Sequence, residues 1–144
     1  MLLRMLPPQL AARNKHDGQD GQEGLVHEPL TRKIIGVCFD VIRELGAGFL
    51  ESVYHNALRL ALCDIGLNVQ SDVPIEVHFR GVRVGVFRAD LLVDKKVLIE
   101  VKAVRALTPE HQAQVINYLK ATGIEVGLLV NFGRPKLEFK RLHP

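Results

Sequence analysis

The chain moves between two hydrophobic rhythms. From Leu30 to Leu45 apolar side chains recur at Ile34, Ile35, Cys38, Val41, Ile42 and Leu45, the spacing of one helix face. Gly46-Ala-Gly48 breaks that pattern. A second helix is predicted from Phe49 to Ile65, with Leu50, Val53, Tyr54, Ala57, Leu58, Ala61 and Leu62 on its buried side and Gly66 as its stop. The period then shortens to that of strands. Asn68 to Phe79 reads as extended, with Pro74 indicating an edge position or a bulge. Arg80-Gly81 turns the chain, and Val82 to Val93 sets Val82, Val84 and Val86 against Arg83, Gly85 and Phe87. Val97 to Val101 is almost continuously apolar, as a buried strand is. Thr108-Pro109 opens a third helix, Thr as N-cap and Pro at the first helical position, running to Thr122 and stopped by Gly123. Ile124 to Asn131 is a second buried strand, and Lys136 to Leu142 a short exposed one. The order helix-helix-strand-strand-strand-helix-strand predicts an α/β fold. An antiparallel meander and a helical crossover form one mixed central sheet flanked by α-helices.

Composition narrows the class. The 144 residues suit one domain with a real core, and 47% apolar with 24% charged residues are ordinary globular values. A net charge of +3 is compatible with a polyanionic partner but lacks a dense basic stripe. Cys38 and Cys63 fall on apolar helix faces and are expected to be buried, reduced thiols, as in a cytoplasmic protein. No Cys/His cluster suggests structural zinc, no stretch is long enough to span a membrane, and no signal peptide is predicted. Residues 1–27 are polar and glycine-rich over most of their length and are expected to be a disordered tail; residues 28–144 form the single domain.

The chemistry concentrates in Arg88-Ala-Asp-Leu-Leu-Val-Asp-Lys-Lys-Val-Leu-Ile-Glu-Val-Lys-Ala103. Glu100 and Lys102 share one side of their strand, opposite Ile99 and Val101. Charges inside an apolar strand are costly unless they pair or hold a metal. Two acids and a lysine at a sheet end suit a hard divalent cation and an activated water. The hairpin register matters. A two-residue turn at Asp94-Lys95 sets Asp90 against Ile99; a three-residue loop, Asp94 to Lys96, sets Asp90 against Glu100 and on its face. The pattern alone weighs a metal site evenly against an edge hairpin with solvated acids. Two helices carry further candidates. Gly48, Glu51 and Tyr54 recur at intervals of three, with Glu51 on the shoulder of the apolar stripe, where an ordinary first-turn acid also sits. Gln114 and Tyr118 share a face of the third helix. Glu110 is expected to serve that helix's N-terminus, and His111 to face solvent.

Asp90 with Glu100-Val-Lys102, on adjacent strands before a helix, resembles the PD-(D/E)XK nuclease superfamily, with Ala89 in place of the motif's leading Pro. Gly48-Phe-Leu-Glu51-Ser-Val-Tyr54 resembles the signature of the GxxExxY protein family, and Gln114-Val-Ile-Asn-Tyr118 the Gln-x-x-x-Tyr element of DNA-processing nucleases. Ile42 stands where many members of that family carry a His, and is read as packing. The resemblance runs from Leu30 to Leu142. It implies a restriction-endonuclease-like core and a Mg²⁺-dependent phosphodiesterase site, with Mn²⁺ as a substitute, at Asp90, Glu100 and Lys102. Asp90, Glu100, the Val101 carbonyl and Glu51 would hold the metal, while Gln114, Tyr118 and Tyr54 would contact substrate or position Lys102. The partner it implies is nucleic acid, DNA before RNA, with no membrane role. A homodimer or a targeting protein would supply specificity, because so small a chain leaves no separate recognition domain. The rival expectation is a nucleic-acid-binding or complex-assembly module with a vestigial nuclease fold. A purely structural α/β protein gives no account of the acids and lysine in an apolar hairpin.

Overall fold

The structure, a computed structural model, describes residues 25–144. In chain order it contains α1 (Glu28–Leu45), α2 (Glu51–Asp64), β1 (Val69–Phe79), β2 (Val82–Val93), β3 (Val97–Lys102), α3 (Pro109–Thr122), β4 (Val126–Asn131) and β5 (Glu138–Leu142). The predicted order holds, with helix ends displaced by a few residues. One five-stranded sheet runs in the order β1-β2-β3-β4-β5. Only the β3–β4 pair is parallel, and α3 is the crossover that joins it. This is an α/β mixed sheet with helices on both faces. The α1 and α2 stripes, including Ile34, Cys38, Tyr54 and Leu58, pack on Leu91, Val93, Ile99 and Val101. Ile42 lies in this core, as packing requires. On the other face Val115, Tyr118 and Leu119 of α3 cover Leu92, Leu98 and Leu129.

Expectation and structure diverge in several places. Most of the predicted tail lies outside the described residues, but Leu25–His27 do not. Val26 is buried in the core and its carbonyl accepts from Arg141 on β5, so the domain begins before residue 28. Cys63 is exposed, because the buried stripe of α2 runs through Tyr54, Leu58 and Leu62. Pro74 lies on an edge strand, with a register shift at Val77/His78. Val82, Val84 and Val86 are all exposed, and so is Phe87 across from them. The reason is length: β2 has 12 residues and β3 only 6, so the outer half of the β1–β2 hairpin has no third strand beside it. The α3 start is as predicted, with His111 N donating to the Thr108 hydroxyl. His111 is not merely solvent-facing: its Nδ1 accepts from Thr108 N at 3.0 Å and completes a capping box.

Asn131, at the end of β4, fastens the segment that follows β3. Its side chain is fully buried. Oδ1 accepts from Val104 N and Gly133 N, both at 2.9 Å; Nδ2 donates to Val104 O at 2.9 Å and to Glu138 Oε1 at 3.1 Å. All four hydrogen-bonding positions of the amide are therefore filled. The approach is so close that a Cβ on Gly133 would lie 2.2 Å from Val104 O. Asn131→Asp keeps the shape but removes both donors and sets a second carboxylate against Glu138. Urea denaturation should show a loss of about 3 kcal/mol relative to wild type. A loss within about 0.5 kcal/mol, the scale of a surface change, would mean that the clasp is not structural.

Candidate active site

The hairpin loop is the three-residue one. Val93 pairs with Val97, Leu92 with Leu98 and Leu91 with Ile99, and Asp94 and Lys95 adopt positive φ (52° and 57°) to make the turn. The regular ladder stops at Leu91 and Ile99, one step before Asp90 and Glu100. Side chains continue the connection. Asp90 N donates to Glu100 Oε1 at 2.9 Å, and Val101 N donates to Asp90 Oδ2 at 2.7 Å. Each carboxylate thus has one oxygen on a main-chain N–H of the other strand. The remaining oxygens face other groups: Asp90 Oδ1 lies 3.5 Å from Nδ1 of His55, and Glu100 Oε2 lies 4.0 Å from Nζ of Lys102.

The local strand geometry explains why Asp90 is available. Leu91 and Val93 point into the core beneath α1 and α2, whereas Ala89 joins the core beneath α3. Strict alternation would put Ala89 and Leu91 on one face. The alternation therefore inverts at Asp90. The neighbouring strand does the same, with Val69 toward the first core and Val73 toward the second, and Asp72 between them has φ 52°.

Lys102 is held from the other layer. Its Nζ donates to Gln114 Oε1 at 3.1 Å, and Gln114 Nε2 donates to the Tyr118 hydroxyl at 3.1 Å. The i, i+4 pair on α3 so forms a two-step brace behind the ammonium. Val101 supplies its N–H to Asp90 and its side chain to the core. Glu51 is exposed in the first turn of α2, yet its negative charge still acts on Glu100.

Tyr54, expected from the resemblance to contact substrate, has its ring in the core. It is fully buried, stacked on Phe132 at 5.0 Å between centroids, and its hydroxyl donates to Gly46 O at 2.6 Å and accepts from Phe49 N at 3.1 Å. It fixes the loop that starts α2. The residue that sequence reasoning missed is His55. The available signal was its spacing, four residues after Glu51 and hence on the same side of the helix.

Glu100 is buried, and its carboxyl is pushed up to about 8 by desolvation first and by repulsion from Asp90 second. The Tyr118 hydroxyl is also shifted upward, by burial and by the charge of Glu100. These oxygens suit a hard cation, which takes oxygen ligands and relieves mutual carboxylate repulsion. Among the described residues, no group of three or more His, Cys, Asp or Glu side chains is placed to hold a metal ion on its own. An ion held here would accordingly keep water or phosphate in its shell, as Mg²⁺ commonly does.

A mixed sheet with helices on both faces and an acid pair with a lysine at one strand end define a restriction-endonuclease-like protein. The sequence profile of the PD-(D/E)XK nuclease superfamily matches residues 28–142. The chain belongs to that superfamily. Among solved structures it resembles the crystal structure of SSO0001, with 20% sequence identity and a TM-score of 0.50 over 94% of this chain and 61% of that one. That likeness is one of fold, and this chain spans about three fifths of the other. No curated protein matches it.

The raised carboxyl makes stability depend on pH when no cation is present. Folded Glu100 holds its proton up to about pH 8, whereas an ordinary glutamate releases it near 4.5. The contribution is therefore complete below the lower value and lost as pH rises through the upper one. Over that window the loss is on the order of 5 kcal/mol. In EDTA the thermal midpoint should fall between about pH 5 and about pH 9, and Glu100→Gln should flatten that fall. A wild-type midpoint that declines no more than the variant's would contradict the assigned burial and repulsion.

Proposed function

We propose that this protein is a divalent-metal-dependent phosphodiesterase acting on nucleic acid, with DNA the favoured polymer and Mg²⁺, or Mn²⁺ in its place, the ion. Within the superfamily we assign it to the GxxExxY group, on Gly48, Glu51 and Tyr54. The observation that carries the functional reading is the mutual anchoring of Asp90 and Glu100 across the end of the β2–β3 ladder, with Lys102 beside them. Asp90 Oδ1 and Glu100 Oε2 are the side-chain ligands proposed for the metal. The Val101 carbonyl would add a main-chain oxygen, and Glu51 would act on the ion through water.

A cation bound there supplies neutralisation of the phosphate and acidification of a water. The chain's own residues do the positioning. Gln114 aims the Lys102 ammonium, and Tyr118 fixes Gln114, so the positive charge is in place before substrate arrives. Lys102 Nζ then stabilises the charge that builds on the phosphate's non-bridging oxygens and orients the attacking water. His55, with Nδ1 3.5 Å from Asp90 Oδ1, would help to orient that carboxylate. Sequence or structure specificity is supplied by a second copy of the chain or a targeting protein. Among the described residues no helix is long and apolar enough to cross a membrane.

Metal and cleavage are tested together. Purified protein with linear, nicked, branched and single-stranded substrates should cleave at least one of them in Mg²⁺ or Mn²⁺. Saturating ion should raise the thermal midpoint through linkage, by about 2–3 kcal/mol of stability at a hundredfold excess over Kd. Asp90→Asn should abolish both responses. Lys102→Ala should abolish cleavage and keep the thermal response to metal. No midpoint gain in either ion, together with no cleavage of any substrate, would end the phosphodiesterase reading.

A further inference from the structure

The brace behind Lys102 also forms one wall of a groove. Between the outer half of the β1–β2 hairpin and α3 lies an open cavity of about 670 Å³, a size that accommodates a small organic group. Val77 and Phe87 line it from the hairpin; Gln114, Asn117, Tyr118 and Lys120 line it from α3. Phe87 is 50% exposed. Its inner side leans on Tyr118, with centroids 5.9 Å apart and planes at 39°. Its ring edge lies over Gly85, where even a Cβ would come within 3.4 Å of it.

The polar groups of the groove are of two kinds. Gln114 and Tyr118 are already bonded to each other and to Lys102, and they tie the groove directly to the proposed reaction centre. Asn117 is exposed and its side chain makes no hydrogen bond within the described residues, and Lys120 makes no ion pair there. The groove thus offers an aromatic face, an unengaged amide and an unpaired cation, linked through Gln114 to a lysine set for phosphate. Each has a counterpart in a nucleotide: the base's π-face, its hydrogen-bonding edge and its phosphate.

We infer that this groove binds an unpaired nucleobase of the cleaved strand by stacking it on Phe87, next to the phosphate that reaches Lys102. The inference deepens the proposed function and rests on it: the substrate class becomes single-stranded or locally unpaired nucleic acid. The two rings are already in contact, so the base packs against the part of Phe87 left open to the groove rather than between them. Asn117 hydrogen-bonds the base edge, and Lys120 meets the adjoining phosphate. A base inside a duplex has both faces covered by its neighbours and cannot take this position.

The chain has no tryptophan, which gives a direct test. Phe87→Trp places a sole indole at the stacking position. Titrated in EDTA with a short oligothymidylate, its emission should be quenched to saturation. An abasic oligomer with the same number of phosphates should leave it unchanged, and a blunt duplex should bind about tenfold more weakly. Two further variants use a dye-labelled oligothymidylate. Phe87→Ala should weaken binding about tenfold, and Ala113→Leu, at an exposed position on the groove wall, should do the same without lowering the thermal midpoint. Absence of quenching, equal quenching by the abasic oligomer, or duplex binding as strong as single-strand binding would each overturn the inference. The titration contains no divalent ion and reads no cleavage. A missing quench therefore removes only the stacking groove, while failure of metal-dependent hydrolysis removes only the phosphodiesterase reading.

Discussion

The site depends on an exchange of hydrogen bonds at the point where two strands stop pairing. A ladder that ends inside a protein leaves N–H groups that must find acceptors. Here the acceptors are carboxylates: Glu100 takes the N–H of Asp90, and Asp90 takes the N–H of Val101. Both bonds run from a main-chain N–H to a carboxyl oxygen of the opposite strand, which helps to hold the two acids close together. The arrangement occupies one oxygen of each acid and leaves the other toward His55 or Lys102. Folding of the hairpin and construction of the site are therefore one event. Removing either acid would loosen the strand end as well as the chemistry.

A second constraint places the helix that faces this pair. The loop between α1 and α2 needs positive φ at Gly46 (73°) and Gly48 (114°), a conformation that side chains rarely tolerate. The Tyr54 hydroxyl, from inside α2, reaches back to bond Gly46 and Phe49 and closes the loop. Tyr54 in turn stacks on Phe132, immediately after β4. Two members of the glycine–glutamate–tyrosine signature are thus framework, and the third, Glu51, sits in the turn they aim.

Much of this was legible from the sequence because it rests on short-range rules. The period of the apolar positions gave the elements, Pro74 gave the edge strand, and Thr108-Pro109 gave the start of α3. The hairpin register was reducible to one question, loop length, and the structure answers it with three residues. What could not be read depends on distant packing. His55 shows nothing special beside Tyr54 until α2 is laid over the strand end, where it meets Asp90, 35 positions away in sequence. Asn131 reads as the polar end of a strand, yet its amide is filled by a segment 27 residues earlier, by Gly133 and by Glu138. Tyr54 was ambiguous for the opposite reason. A tyrosine on an apolar stripe fits both a core and a binding site, and only the partners of its hydroxyl decide.

The inversion of strand alternation at Asp90 has a wider consequence. In a regular strand Asp90 would belong to one face and be served by one helical layer. Because β1 and β2 both change face beside it, the acid pair lies where the two layers meet. From one side α2 brings His55 and the charge of Glu51; from the other α3 brings Gln114 and Tyr118 to Lys102. The same inversion swings the outer hairpin away from the first core and over α3, where Phe87 meets Tyr118. One local departure from strand regularity thus opens the carboxylates to both sides of the sheet and sets an aromatic wall beside them. A sheet with unbroken alternation would bury Asp90 beneath α3, with neither His55 nor an open groove within its reach.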